Sequence, residues 1–89
     1  MNITLNSQKS RFESEHDGQV AVAEFIASPG VLTVTHVIVP PQLRGGGVAS
    51  TLAAHVVEHA RRENLKIEPR CPFMAAYLQK HPETRDLLA

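Results

Sequence analysis

Alternation with a period of two dominates the first half of the chain, and a period near 3.6 takes over after residue 47. Residues 31–39 (VLTVTHVIV) are almost wholly β-branched, and both of their alternating faces are mostly apolar. A strand covered on both sides has this pattern, so the segment is expected to be the central strand. Pro40 and Pro41 remove backbone donors and end it. Before it, residues 19–27 (QVAVAEFIA) place Val20, Val22 and Ile26 on one alternating face, interrupted there by Glu24. Asp17-Gly18 is a hairpin turn signal, which makes the polar residues 10–16, with Phe12 as their one large apolar side chain, the opening of a hairpin. Ser28-Pro29-Gly30 marks a second turn.

Beyond Gly47, the residues Ala49, Leu52, Ala53, Val56 and Ala60 fall at i, i+3, i+4, i+7 and i+11. That stripe predicts an amphipathic helix ending near Asn64. Residues 65–68 are long enough only for a strand, after which Pro69 and Pro72 bracket Arg70-Cys71 and introduce a second apolar helical run over 73–78. His81-Pro82 stops that run, and residues 83–89 suffice for one last short turn of helix. No repeat, low-complexity tract or linker divides the 89 residues, so a single domain over 1–89 is expected.

Composition narrows the classes open to such a domain. With 43% hydrophobic and 20% charged residues the chain can fill a core and lacks the signature of disorder. Nine basic residues cancel nine acidic ones, so no overall positive field draws the protein to nucleic acid or anionic lipid. No stretch approaches the roughly 20 apolar residues of a membrane span, and the N-terminus lacks a charged region followed by an apolar run. Cys71 is the only cysteine, which excludes an internal disulfide and fits a reducing compartment. A soluble, cytoplasmic protein without membrane or nucleic-acid partners is expected.

The candidate chemistry begins where the period changes. A strand, Pro-Pro, Gln42-Leu43-Arg44, three glycines and a helix with small residues in its first turn follow one another. Glycines allow positive φ and let a ligand reach main-chain N–H groups, and the first amides of a helix lack internal acceptors. Such a nest holds phosphate oxygens, and Arg44 adds a bidentate donor at its mouth. The alternative is a tight strand-to-helix connection without a ligand, although three consecutive glycines at a helix start cost conformational entropy. Neither the G-x-x-x-x-G-K-[ST] loop nor the G-x-G-x-x-G dinucleotide pattern is present.

The segment resembles motif A of the GNAT (GCN5-related) acetyltransferases, [QR]-x-x-G-x-[GA], which stands here as Arg44-Gly45-Gly46-Gly47-Val48-Ala49. Thr35-His36, Val39-Pro40-Pro41, Leu43-Arg44-Gly45, Glu68-Pro69-Arg70-Cys71-Pro72-Phe73 and His81-Pro82-Glu83 extend the likeness to the short, single-domain GNAT-like proteins, over about residues 10–88. The resemblance implies a minimal α/β fold of the GNAT kind, a mostly antiparallel sheet packed by two main helices. It further implies that acetyl-CoA is the phosphate-bearing ligand and an amine the acceptor. Its pyrophosphate would sit on Arg44, Gly45, Gly46, Gly47, Val48, Ala49 and Ser50, and its pantetheine arm along the backbone of Val37, Ile38 and Val39.

Acyl transfer to an amine needs a deprotonated nucleophile, a donor for the oxyanion and often an acid for the departing thiolate. Cys71 precedes a proline-started helix whose N-terminus, with Arg70 alongside, would favour a thiolate. The family likeness suggests it as a transient acyl acceptor or as the acid, and the alternative is a small buried hydrophobe. Tyr77 stands on the same helix, where larger relatives often carry a tyrosine that protonates the thiolate, or else it is a core or edge aromatic. His36 lies mid-strand just before the expected thioester and is either the amine's base or a hydrogen-bonded structural histidine. His55 and His59 are one helical turn apart, as zinc ligands can be, but two ligands are not a site, so no metal is expected and a solvated or partly packed helix face accounts for them. Arg61-Arg62 near that helix's C-terminus pairs with its dipole. A CoA-binding module with little or no turnover stands as the rival to an N-acetyltransferase, because so short a chain has little material for an acceptor pocket.

Overall fold

The computed structural model describes residues 2–89. Five strands form one sheet in sequence order: β1 (Ile3–Asn6), β2 (Arg11–His16), β3 (Gln19–Ser28), β4 (Val31–Ile38) and β5 (Lys66–Pro69). The first four pair antiparallel and β5 joins β4 in parallel. A parallel neighbour requires a crossover, and helix α1 (Val48–Arg62) supplies it. Helix α2 (Pro72–Lys80) and a 3₁₀ segment, Pro82–Leu87, follow β5. The expected mostly antiparallel sheet packed by two main helices is therefore what the chain forms.

Local chemistry explains most boundaries. Asp17 and Gly18 both adopt positive φ, 49° and 81°, as a two-residue hairpin loop between right-twisted strands demands. Pro40 and Pro41 end β4, Pro72 opens α2, and His81-Pro82 ends it. Strand β1 is an element the hydrophobic pattern does not announce. It pairs with β2 alone, through Ile3↔Ser14 to Asn6↔Arg11, so its stability comes from that partner rather than from its own four residues.

One core fills one side of the sheet. Phe12, Ala21, Ala23, Leu32, Val34 and Ile67 from the strands meet Leu52, Ala53, Val56 and Ala60 of α1, and Met74 and Leu78 of α2. Ala21 and Ala23 of β3 face the helices, and by strand alternation Val20 and Ile26 point the other way and are exposed. Phe12 is 1% exposed and its ring meets those of Phe25, His55 and His59 at centroid distances of 5.4, 5.7 and 5.2 Å.

The expectation that β4 is covered on both sides is corrected. Both helices pack on one face, and the other carries no element among the described residues, leaving Val20, Ile26 and Ile38 exposed. The apolar residues on both faces of β4 reflect β-propensity as much as burial. No helix among the described residues is long and apolar enough to cross a membrane.

The C-terminus is tied down. Leu87 is buried, Leu88 bridges Ile67, and Ala89 N–H donates to the Ile67 carbonyl at 2.9 Å. Arg61 Nη1 and Nη2 grip the Asp86 carboxylate at 2.9 and 3.3 Å, and Nη2 also donates to the Glu83 carbonyl at 2.6 Å. Hydrogen bonding from Arg61 holds the Asp86 carboxyl below its ordinary range. A carboxylate depressed in the folded state stabilises above its unfolded pKa and loses that contribution as pH falls through the folded one. Thermal unfolding from pH 7 down to 2 is therefore expected to show a smaller loss of Tm for Asp86→Asn than for the wild type. Glu13, lowered by hydrogen bonds from Arg11 and Asn6, keeps the same sign in both proteins.

Candidate functional site: a glycine turn beside a forked sheet

The strand-to-helix connection is built from backbone hydrogen bonds up to Arg44 and from none immediately after it. Leu43 N–H donates to the Pro40 carbonyl at 2.9 Å and Arg44 N–H to that of Pro41 at 3.3 Å. Gly45 and Gly47 then adopt φ of 87° and 79°, a left-handed conformation costing other residues about 1–2 kcal/mol. A Cβ at either would meet no atom within 4 Å, so conformation and not crowding requires glycine there. Helix α1 starts at Val48 with no side-chain cap and no acidic residue in its first turn. Its first intrahelical donor is Thr51, bonded to the Gly47 carbonyl at 3.0 Å.

In consequence the six N–H groups of residues 45–50 have no protein acceptor among the described residues. Those of Val48, Ala49 and Ser50 lie at the positive end of the helix dipole, and the glycines lead into it. A cleft of about 130 Å³ opens on them, lined by Val39, Leu43, Arg44, Gly45, Gly47, Val48, Ala49 and Ser50. Gly46 is not part of that lining. Arg44 spends its Nε on the Val39 carbonyl at 3.2 Å, which anchors the guanidinium at the mouth and leaves its two terminal nitrogens without a protein partner. A chain segment that neutralises none of its amides suits an anion supplied from outside.

The second half of the site is a fork between β4 and β5. Their pairing runs from Val31↔Lys66 to Val34↔Pro69 and stops, with Arg70 and Cys71 N–H both donating to the Val34 carbonyl at 3.0 Å. From Thr35 to Ile38 the edge of β4 on that side has no strand partner among the described residues. On its other side β4 carries a bulge, because Phe25 pairs with Val34 while Glu24 pairs with His36. Thr35 is the extra residue, its hydroxyl donating to the Glu24 carbonyl at 3.3 Å. Bulges bend the bulged strand and increase its twist, and here the bend begins where the two strands part. The unpaired edge then runs through Val37 and Ile38 to Val39, and the turn Pro41–Leu43 joins it to the glycines.

The candidate catalytic residues divide between the two faces at this fork. Cys71, the N-cap residue of α2, is 6% exposed and belongs to the core on the helix side. Arg70 does not face it but pairs with Glu68 at 3.5 Å. His36 is exposed on the open face, two residues past the last β4–β5 pair, with Nδ1 3.2 Å from Thr35 Oγ1 and 3.3 Å from Glu24 Oε1. The structure thus sets Cys71 and His36 at one fork on opposite sides of the sheet.

Tyr77 is not brought to them. It stacks on His81 at 4.0 Å and lines a cleft with Ala54, Val57, Glu58, Arg61, Glu83 and Thr84, towards the C-terminal half of α1. Burial first, and then the Glu83 charge, push its phenol above the ordinary value, which makes it a weaker acid. His55 and His59 set their rings edge-on against Phe12, and no third ligand joins them among the described residues. Glu24, 3.3 Å from the His36 ring, is a residue the sequence reading leaves unassigned. Its signal is visible there all the same, as the one charge interrupting the apolar face of Val20, Val22 and Ile26.

Comparison with known proteins converges on the same elements. Residues 11–87 match the family model described as GCN5-related N-acetyl-transferase. A GCN5-like N-acetyltransferase candidate from Staphylococcus aureus, solved by NMR, superposes with a TM-score of 0.75 at 27% identity, over 99% of this chain and 87% of that one. A predicted acetyltransferase from Clostridium acetobutylicum, solved with acetyl-CoA, superposes with a TM-score of 0.57 at 20% identity over 84% of this chain. The present chain spans 58% of that protein's length, and at this identity the likeness is one of fold. The match from β2 through the C-terminal 3₁₀ segment takes in both the fork and the glycine turn, and on it the chain belongs to the GCN5-related N-acetyltransferases.

Proposed function

We propose that this chain binds acetyl-CoA along the fork and the glycine turn and transfers the acetyl group to an amine. One observation carries the proposal: the unpaired edge of β4 is followed, after the short turn Pro41–Leu43, by six unpartnered amides leading into a helix N-terminus. An extended arm can add to a free strand edge by main-chain hydrogen bonds, and a pyrophosphate can close the amide nest. Val37, Ile38 and Val39 take the pantetheine in this reading, and Arg44 with residues 45–50 takes the phosphates.

The thioester then passes through the fork, carbonyl towards the open face and sulfur towards the helices. His36 on the open face accepts one proton from the acceptor's ammonium group, which releases the nitrogen lone pair. As the nitrogen attacks the carbonyl carbon a C–N bond forms, the C–S bond breaks, and Cys71 on the helix side gives its proton to the departing thiolate. The second amine proton restores the cysteine, and the proton on His36 leaves to solvent. The compartment proposed is the cytoplasm, where a lone thiol stays reduced.

Mass spectrometry after incubation with acetyl-CoA and a panel of lysine peptides, polyamines and small amines is the test. An acetylated amine is the expected product, and general-acid effects predict a roughly 10²-fold or greater loss of kcat in Cys71→Ala. Unchanged kcat in Cys71→Ala removes the thiol from the mechanism, and a stable cysteine adduct would make it an acyl carrier instead. The uncovered sheet face encloses no acceptor, which favours one second reading, a CoA-binding module with little turnover. Tight acetyl-CoA binding with no product from any amine would establish that reading.

A further inference from the structure

Both acceptors near the His36 ring act on one nitrogen. The Thr35 hydroxyl has its hydrogen committed to the Glu24 carbonyl at 3.3 Å, so towards Nδ1, 3.2 Å away, it offers only lone pairs. The Glu24 carboxylate, 3.3 Å from the same Nδ1, has no hydrogen to donate when ionised. Both neighbours therefore favour the proton of the neutral ring on Nδ1, with the lone pair on Nε2. Arg11, the cross-strand partner of Glu24 on β2, forms no ion pair with this carboxylate and is bonded through Nε to Glu13 at 2.6 Å.

The bulge is what assembles the pair. A ladder continuing from Phe25↔Val34 without an extra residue would set Thr35 against Glu24 and turn His36 to the core face. With Thr35 inserted, Glu24 and His36 are directly opposed on the open face, at the point where β4 leaves β5. At 65% exposure of the histidine side chain such a contact contributes little to stability, so folding alone gives no reason for it.

We propose that Glu24 is a positioning residue, holding the Nδ1–H of His36 so that Nε2 faces the acceptor amine and takes its proton. This rests on the transferase reading above. The proton moves from the acceptor's ammonium nitrogen to Nε2 and from there to solvent, and Glu24 takes no proton in the step. The role resembles that of any carboxylate that fixes a histidine tautomer for base catalysis.

The test pairs nitrogen-15 NMR of the His36 ring, which distinguishes the two tautomers, with steady-state kinetics. Wild type is expected to show the Nδ1–H form. Glu24→Ala is expected to shift the ring towards the Nε2–H form and to lower kcat by about tenfold to a hundredfold, with the KM for acetyl-CoA unchanged because the glycine turn is untouched. Glu24→Gln keeps an acceptor oxygen and is expected to restore the tautomer and most of the lost kcat. An active wild type whose Glu24→Ala variant retains either the Nδ1–H form or full kcat overturns the role of Glu24 alone. A wild type that binds acetyl-CoA and acetylates no amine overturns the transferase reading and leaves Glu24 no reaction to serve.

Discussion

Acetyl-CoA at a hundred times its dissociation constant is expected to raise the melting temperature by about 10–20 °C. Binding to the native state alone contributes about 2.7 kcal/mol at that excess. In a domain of this size each kcal/mol moves Tm by about 4–8 °C. Gly47→Glu is expected to abolish the shift for two reasons. Its φ of 79° strains any side chain, and a carboxylate would enter the nest where the phosphates are proposed to bind. Gly46→Ala separates that effect from a general disturbance of the turn. Gly46 lacks positive φ, its Cβ would touch only the Leu43 carbonyl at an ordinary 3.6 Å, and it does not line the cleft. That variant is expected to keep most of the shift. Differential scanning fluorimetry of the three proteins with and without ligand decides the matter, and a wild type that shows no shift at saturation removes acetyl-CoA from the turn.

Phe12→Ala is expected to have the largest effect on the fold itself. The ring is 1% exposed and sits where β2 meets Phe25 of β3 and the two histidines of α1. Truncating a buried phenylalanine costs about 3–5 kcal/mol through lost transfer energy and the cavity left behind. Single domains keep only about 5–15 kcal/mol in all, so the variant should unfold at much lower urea or not fold at 37 °C. Urea titration followed by circular dichroism measures it. A midpoint within experimental error of wild type would mean that the helices and sheet are not joined through this ring.

Much of this architecture can be read from residues that act locally. Pro40 and Pro41, Asp17-Gly18, Pro72 and the apolar stripe from Leu52 to Ala60 set their elements by backbone geometry and by period, and each is found where those rules place it. The glycine turn is legible for the same reason, since positive φ and free helix amides are properties of a few consecutive residues. What escaped the sequence depends on distant partners. Strand β1 exists because β2 accepts it, and the bulge at Thr35 is defined only against Glu24, eleven residues away. For Cys71 and Tyr77 the sequence left burial and an edge position open beside the catalytic readings, because how α2 lies on α1 and the sheet is recorded in no local pattern. The uncovered face of β4 escaped because β-branched residues favour strands whether or not a second layer packs on them.

Thr35 contributes no side chain to the buried core. Without this one residue the β3–β4 ladder would close into an unbroken series, Phe25 opposite Val34 and Glu24 opposite His36, with every side chain still on its present face. An in-frame loss of its codon would thus keep the core and straighten the strand that now diverges from β5.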